Sequence, residues 1–188
     1  MAREVHTGEV MGGHVEVDGA YFGGHIRLEN HKADRVDRRS ARHQTGRRRV
    51  VVAFRERQGR TLPFVTRTEA EGVLLAVANV DKLAVMSADE ASHWDDLHAQ
   101  WPMHRVNHSL SYSDHGKHTK WVESYFSRLR LRRMVQGQHH HVSPGYLHQY
   151  ANQAAWLEDN RRRSNGVLAF GLVAASMDAP VSRAWKRF

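Results

Sequence analysis

The first third of the chain carries hydrophobic patterns that are typical of β-strands. Residues 14–18, HVEVD, alternate between polar and apolar side chains, which predicts a short strand with Asp18 at its end. The apolar runs VVVAF at 50–54 and LPFV at 62–65 flank the turn signal Gln58-Gly59, which predicts a hairpin of two further strands. We therefore expect this part of the chain to form mainly β-structure.

Helical spacing of apolar residues begins after the hairpin and then alternates with strand-like runs. Thr68 and Glu71 have the spacing of a helix N-cap and its capping-box partner, which predicts a helix over about 69–80. The compact run LAVMSAD at 83–89 predicts a strand that ends at Asp89. The segment that follows, ASHWDDLHAQW, has the spacing of another helix, so this region is predicted to be a strand-to-helix junction.

The second half of the chain is mainly helical in pattern. Residues 104–112 favour one more strand, and an amphipathic helix with arginines on its polar side is predicted from Lys120 to about Met134. Ser143-Pro144 opens a further helix, and residues 166–188 are predicted to be a half-apolar tail that ends in basic residues. The order of the elements predicts an α/β fold, a mixed β-sheet flanked by helices, and it resembles the order in RNase H-like domains.

The size and the cysteine content limit the class of protein. A chain of 188 residues can bury a core of its own, so residues 1–188 are expected to form one domain. The sequence contains no cysteine, which excludes a disulfide framework, a thiolate zinc site and a cysteine nucleophile, and fits a cytoplasmic protein. No apolar run approaches the length that spans a bilayer, so no membrane partner is expected.

Basic residues are concentrated in one segment. The formal net charge is +8, and residues 21–60 alone contain twelve Lys/Arg against four Asp/Glu, a surplus of eight. Residues 25–48 follow neither a helical nor a strand period, so they are predicted to form a basic loop that is either merely solvated or binds the phosphates of DNA. The candidate DNA contacts in and beside this loop are Arg38, Arg39, Arg42, Arg47, Arg48 and Arg49.

Three carboxylates lie where an apolar strand is predicted to end or a helix to begin. Asp18 and Asp89 each end a strand, and Glu123 lies in the first turn of the helix predicted from Lys120. Mg²⁺ and Mn²⁺ prefer hard oxygen ligands, and two such ions can assist an in-line phosphoryl transfer. The three residues are therefore candidate metal ligands and catalytic residues, with solvated carboxylates as the alternative interpretation.

The chain also resembles the ISXO2-like insertion-sequence transposases. The similarity covers roughly residues 14–188 in segments of matching order and spacing, namely VEVDGAYFGG, SADEASHW, HRVNHSLSY, GKHTKWVESYFSRLR, SPGYLHQYANQAAWLEDNRRRSNG and PVSRAWK. The resemblance implies an RNase H-like domain that nicks and joins double-stranded DNA, at transposon ends and targets, with Mg²⁺ or Mn²⁺. It also implies that an Asp, Asp, Asn/Glu set followed by a basic residue holds the metal, and Asp18 and Asp89 match the first two positions.

The third position of that set departs from the family pattern. Family members usually have His-Thr-Asn where this chain has His118-Thr119-Lys120, and a protonated lysine cannot ligate a metal. Glu123, one helical turn later, matches a glutamate that the family also carries and can ligate in its place. Arg130, seven residues further on, stands where the family tends to have lysine, and together with Lys120 it is a candidate DNA contact.

A second departure concerns the amino terminus. Family members usually carry a zinc-ribbon-like region with cysteines ahead of the catalytic core, and this chain begins just ahead of Asp18. We therefore expect a truncated or decayed copy, either an enzyme active in metal-dependent DNA strand cleavage and transfer or a catalytically inactive DNA-binding remnant. Both interpretations imply a nucleoid-associated protein of the cytoplasm, and both allow a homo-oligomer. The choice between them depends on which residue, if any, serves as the third member of the ligand set.

Overall fold

The computed structural model of the protein describes residues 10–23, 30–36, 46, 48–57, 59–89, 91–106, 119–130 and 142–178. The strands within this part of the chain are β1 (His14–Phe22), β2 (Arg49–Glu56), β3 (Thr61–Thr66), β4 (Val85–Asp89) and β5 (Met103–Val106). The α-helices are α1 (Glu71–Asn79), α2 (Lys120–Arg130), α3 (Leu147–Asp159) and α4 (Asn165–Asp178). Short 3-10 helices cover Lys32–Asp34 and Ser92–Ala99.

All of these strands belong to one mixed sheet. The strand order is β3-β2-β1-β4-β5, with antiparallel pairing between β3 and β2 and between β2 and β1. Pairing is parallel from β1 to β4 and from β4 to β5, and helical segments precede both β4 and β5 in the chain. The predicted hairpin is confirmed as β2 and β3, and the sheet with its helices confirms the α/β fold.

Both faces of the central strands are covered. The consecutive residues Val50–Phe54 of β2 are all fully buried, which requires packing on both sides because successive side chains of a strand point to opposite faces. On one face, α1 lies close to the 3-10 helix after β4, since an added Cβ at Gly72 would lie 2.8 Å from the ring of Trp94 and 3.1 Å from Val52. On the other face, α2 contacts β1 and β2, and α3 contacts β3 and α2.

Replacing Gly72 with alanine tests this close packing. The added methyl group would meet the Trp94 ring at 2.8 Å. We therefore expect the free energy of unfolding to fall by about 1–3 kcal/mol, as is usual for an overpacked core. Gly171→Ala in α4, where nothing lies within 4 Å of the added carbon, is the matched control. It should be neutral or stabilising by up to about 1 kcal/mol. Equal urea midpoints of unfolding for Gly72→Ala and Gly171→Ala would contradict the close packing at Gly72.

The strand that carries the first aspartate is longer than the sequence pattern predicts. The prediction that Asp18 ends a strand is wrong, because β1 continues to Phe22 and pairs with β2 over this whole length. The small size of Gly19 leaves room for a neighbour. An added Cβ at Gly19 would lie 2.6 Å from Cγ of Glu69, so the side chain of Glu69 occupies the space that a larger residue would need.

Two other segments also differ from the prediction. Ser92–Ala99 is a 3-10 helix rather than an α-helix, and its buried residues Trp94 and Leu97 lie three positions apart, which suits a helix with three residues per turn. The tail predicted over 166–188 contains most of α4, whose apolar residues occur on several sides and give no amphipathic period. Among the described helices, α4 included, none has the length and apolar character that crossing a bilayer requires.

The remaining predicted elements agree with the structure where it describes them, apart from the cap of α1. The prediction that Thr68 caps α1 is wrong, because the helix begins at Glu71 with Ala70 as its N-cap and no side-chain cap bond. The N–H and the hydroxyl of Thr68 still donate to Oε1 of Glu71, at 3.1 and 3.2 Å. The strand predicted over 104–112 is present as β5, and residues 107–112 lie outside the described part of the chain. Most of the predicted basic loop, 25–48, also lies outside it.

Candidate active site

The sheet brings the two candidate aspartates onto neighbouring strands. In the parallel pair of β1 and β4, His14 pairs with Val85 and Glu16 pairs with Ser87, so each partner lies 71 positions further along the chain. Asp89 also lies 71 positions after Asp18, so the two aspartates share this register, two residues beyond Glu16 and Ser87, the last pair of the ladder. Paired residues of a parallel ladder point to the same face of the sheet, so both carboxylates face the same side.

That side is the face on which α2 packs. Glu16 shares a face with Asp18 because the two residues are two positions apart in β1. Oε2 of Glu16 accepts hydrogen bonds from the backbone N–H groups of Trp121 and Val122 at 2.9 and 3.1 Å. These amides belong to the first turn of α2, which also carries Glu123. The third candidate ligand, Glu123, therefore lies in a helical turn that packs on the same face of the sheet as the two aspartates.

Each aspartate has one carboxylate oxygen oriented by its own backbone. Oδ1 of Asp18 accepts from the N–H of Gly19 at 2.7 Å. Oδ1 of Asp89 accepts from the N–H of Ala91 at 3.2 Å. Arg105 supports the second of these turns, because its guanidinium donates to the carbonyl oxygen of Ala91 at 2.8 Å. The two carboxylates are thus held in fixed orientations at partly buried positions.

The start of α2 presents Glu123 and Lys120 in different ways. Oε1 of Glu123 accepts a hydrogen bond from the hydroxyl of Thr119 at 2.6 Å, and Glu123 is half-buried. Lys120 is exposed at the first position of the helix. One oxygen of Glu123 is therefore turned back toward the start of its own helix, and the ammonium of Lys120 lies at the surface.

Two of the three candidate ligands, the aspartates, have the chemistry that suits a divalent metal. In the part of the chain that the structure describes, no three or more His, Asp or Glu side chains converge tightly enough to hold a metal ion. Magnesium, however, is commonly bound through one or two carboxylates, with water and substrate phosphates as the other ligands. Two carboxylates brought close together would repel each other, and a cation between them would relieve the repulsion. Asp18 and Asp89 suit such a site, and among the described residues Glu123 completes no trio with them.

The opposite face of β1 carries a second polar cluster beside the aspartates. His93, four residues after Asp89, contacts Oε2 of Glu69 through Nε2 at 2.9 Å. Burial and the nearby Glu69 carboxylate raise the pKa of Tyr21. The guanidinium of Arg48 lies 3.8 Å from the centroid of the Tyr21 ring. This cluster ties the segment after β4 to the end of β1, and so supports both strands of the candidate site.

Buried ion pairs attach α3 to the face that carries α2. Arg55 of β2 lies 3.4 Å from Oε1 of Glu158 and 3.3 Å from Oδ1 of Asp159. Thr61 donates its N–H and its hydroxyl to Asp159 at 2.8 and 2.7 Å. Burial lowers the pKa of Arg55 and raises the pKa of Asp159, while the hydrogen bonds from Thr61 act in the opposite direction on Asp159. These contacts fix the helix against which α2 packs.

Of the arginines predicted to contact DNA in the basic segment, two have described side chains. Arg48 packs on Tyr21, and Arg49 donates to the carbonyl oxygens of Gly46 and Arg48 at 2.8 Å each. Because Arg49 pairs with Phe22, both arginines lie at the end of the sheet toward which β1 runs past Asp18. Arg130 is the last residue of α2. Outside the described residues lie Arg38, Arg39, Arg42 and Arg47.

The fold and the sequence together define the class of this protein. A five-stranded mixed sheet of order 3-2-1-4-5, with helices on both faces, is the architecture of an RNase H-like domain. The sequence matches the family described as ISXO2-like transposase domain over residues 10–159, and the chain belongs to this transposase family. Comparison with curated proteins and with solved structures gave no match. The matched residues span all of the described strands and α1 to α3, and α4 follows them.

Sequence reasoning misses the residues that support the candidate site. In the sequence pattern Glu16 is the polar member of an alternating strand, yet its side chain is fully buried. The signal that could have found it is its position in β1, because the centre of a partly parallel sheet is covered on both faces and polar residues there need partners. Glu69 and His93 carry no comparable signal, since their contact depends on how α1 and the segment after β4 pack.

Proposed function

We propose that this chain catalyses metal-dependent cleavage and transfer of DNA strands during DNA transposition. The observation that carries the proposal is the register of β1 and β4, which, continued by two residues beyond Glu16 and Ser87, would align Asp18 with Asp89 on one face of the sheet. Membership of a transposase family supplies the reaction class. The proposed metal is Mg²⁺ or Mn²⁺, and the proposed ligands are Asp18, Asp89 and, from the first turn of α2, Glu123.

The proposed roles follow from the chemistry of the side chains. When bound, the metal would polarise a phosphate oxygen and lower the pKa of a water molecule or hydroxyl group. Asp18 and Asp89 would supply hard anionic oxygens, each already oriented by a backbone N–H, so little reordering is needed when the ion binds. Glu123 would have to give up its hydrogen bond from Thr119, or use its second oxygen, in order to join them.

Duplex DNA is the proposed partner, held mainly through its phosphates. The support is the basic surplus in residues 21–60 and the pairing of Arg49 with Phe22, on the face of β1 that carries Asp18; Arg48 lies near the same end of the sheet but on the opposite face, against Tyr21. Cations beside a cluster of carboxylates offset its repulsion toward the DNA backbone. Lys120 and Arg130, at the two ends of α2, are further proposed contacts with the strands next to the cleaved bond.

Neutralising Arg48 and Arg49 together should weaken DNA binding to a similar extent for all sequences. If each arginine binds one phosphate, the slope of log affinity against log salt should become shallower by about 0.9 for each phosphate that is no longer bound. Arg163→Ala is the matched control. Arg163 is exposed just beyond α3, and the end of α3 contacts the start of β3, at the other end of the sheet from Arg48 and Arg49. Fluorescence anisotropy at several salt concentrations measures the slopes, and an unchanged slope in the double variant would rule out both contacts.

The proposed activity is tested with supercoiled plasmid. Incubation with the protein and Mn²⁺ or Mg²⁺ should produce nicked circles, and EDTA should prevent their formation. Equal nicking in EDTA would overturn metal dependence. No nicking in any metal would favour the second candidate function.

The second candidate function is a DNA-binding remnant without catalysis. It is favoured by Lys120, which stands at the position of a metal-binding amide in the family pattern, and by the lack of a third side chain converging with the aspartates among the described residues. Such a protein would keep the fold and the basic surface and would bind DNA with the salt dependence given above. Activity of the unaltered chain decides between the two candidates.

A further inference from the structure

Glu16 is a charged residue in the interior of the protein that the proposed chemistry does not use. Its side chain is fully buried in β1, where an unpaired carboxylate would be strongly unfavourable. Its Oε2 accepts two hydrogen bonds, from the N–H of Trp121 at 2.9 Å and from the N–H of Val122 at 3.1 Å. The guanidinium of Arg57 lies 3.4 Å from Oε1. The carboxylate is therefore hydrogen-bonded by α2 at Oε2 and paired with the charge of Arg57, the residue that follows β2, at Oε1.

The two amides that Glu16 binds are at the amino terminus of a helix. The first N–H groups of an α-helix have no partner within the helix, and the helix dipole places partial positive charge there. A carboxylate at this position satisfies both needs. The hydroxyl of the preceding residue, Thr119, donates to Glu123. The carboxylate that binds the start of α2 thus comes from a strand residue 105 positions away from Trp121.

This contact connects the two elements that carry the candidate ligands. Asp18 follows Glu16 by two positions on the same face of β1, and Glu123 follows Val122 directly in the first turn of α2. A helix turn held at two consecutive amides cannot slide or rotate relative to the strand without breaking both bonds. The core packing of Val122, Tyr125 and Leu129 also holds the helix, and the Glu16 contact adds two directional bonds at its first turn.

We infer that Glu16 is a positioning residue that holds the first turn of α2, which carries Glu123, against β1, the strand that carries Asp18. The inference rests on the proposed function for the role of Glu123, but the link between strand and helix can be measured without it. Partners outside the ligand set that orient metal ligands commonly change metal affinity or activity by about 10- to 100-fold when they are removed. Glu16 is expected to act on this scale, although it touches neither metal nor DNA.

The test compares Glu16→Ala and Glu16→Gln with the unaltered chain and with Tyr125→Phe. The alanine variant removes the acceptor, whereas glutamine keeps one oxygen for the two amides and should retain part of the effect. Tyr125→Phe is the matched control on the same helix, because it removes a hydrogen bond from the Tyr125 hydroxyl to the carbonyl oxygen of Ala151 at 3.2 Å without touching the first turn. Amide hydrogen exchange reports on the first turn, and a manganese titration by electron paramagnetic resonance reports on the metal site.

In Glu16→Ala the amides of Trp121 and Val122 should exchange at least about 10-fold faster, and the Mn²⁺ affinity should fall about 10-fold or more. Glu16→Gln should give exchange rates and a Mn²⁺ affinity between those of Glu16→Ala and those of the unaltered chain. Tyr125→Phe should change neither the exchange of these two amides nor the Mn²⁺ affinity. Unchanged exchange in Glu16→Ala, or a Mn²⁺ affinity that falls no more than in Tyr125→Phe, would overturn the inference. If the amides respond but the unaltered chain binds no Mn²⁺, the proposed function fails and only the link between strand and helix stands.

Discussion

Replacing Asp89 with asparagine is expected to abolish metal-dependent nicking while DNA binding is retained. Asparagine has nearly the shape of aspartate, and its carbonyl oxygen can still accept the hydrogen bond from Ala91, so the fold should be preserved. What is lost is one of the two negative charges that are proposed to attract the metal. A bound metal contributes several kcal/mol of transition-state stabilisation, and about 4 kcal/mol corresponds to roughly a thousandfold in rate. We expect a loss of at least that size, and Asp18→Asn should behave in the same way.

Asp96→Asn is the control for these two variants. Asp96 is an exposed aspartate a few residues beyond Asp89, in the 3-10 helix that follows β4, so the change removes the same charge away from the proposed metal. Nicking should be unchanged in this variant. Rates of nicking and anisotropy titrations with duplex DNA are measured for all three. If Asp18→Asn or Asp89→Asn keeps more than about a tenth of the activity, that residue does not hold the metal.

The second large effect is expected from Glu123 and Lys120, which separate an active enzyme from a remnant. If Glu123 is the third ligand, Glu123→Gln should abolish nicking and leave DNA binding intact. If instead Lys120 disables the site, the unaltered chain should be inactive, because an ammonium near the aspartates offsets the charge that draws in metal. Lys120→Asn should then recover nicking.

The surface position of Lys120 makes its substitution a clean test, since removal of an exposed side chain should not disturb the core. Lys82→Asn is a suitable control, because Lys82 is an exposed lysine in the turn before β4. Its ammonium donates to Oε1 of Gln100 at 2.7 Å. Nicking by the unaltered chain that survives Glu123→Gln would contradict both versions and would require another third ligand.

The architecture could be predicted from the sequence because its strands carry local signals. The runs at 50–54 and 83–89 consist of apolar β-formers without charge until their ends, and the turn between β2 and β3 has its own glycine. These signals depend only on near neighbours in the chain. The length of β1 did not follow from them, because its second half is kept in the sheet by pairing with β2, which a single segment does not reveal.

The candidate site was predictable only in part, for a similar reason. The sequence indicates two aspartates near the ends of apolar runs, and the register of β1 and β4 then sets them on the same face. Their assignment as metal ligands, like that of Glu123, stays a prediction. The burial of Glu16 and the contact of Arg55 with Asp159, 104 positions apart, depend on how whole helices pack on the sheet. Such contacts leave no periodic trace in the sequence.

The central claim is that Asp18 and Asp89 bind one divalent cation between them, and titration of Mn²⁺ into the protein measures this directly. Electron paramagnetic resonance detects free Mn²⁺, so bound metal appears as loss of signal. The unaltered chain is predicted to bind Mn²⁺ saturably, and the Asp18→Asn, Asp89→Asn double variant is predicted to bind it at least about 100-fold more weakly, since both anionic ligands are gone. Equal Mn²⁺ binding by the unaltered chain and the double variant would contradict the claim.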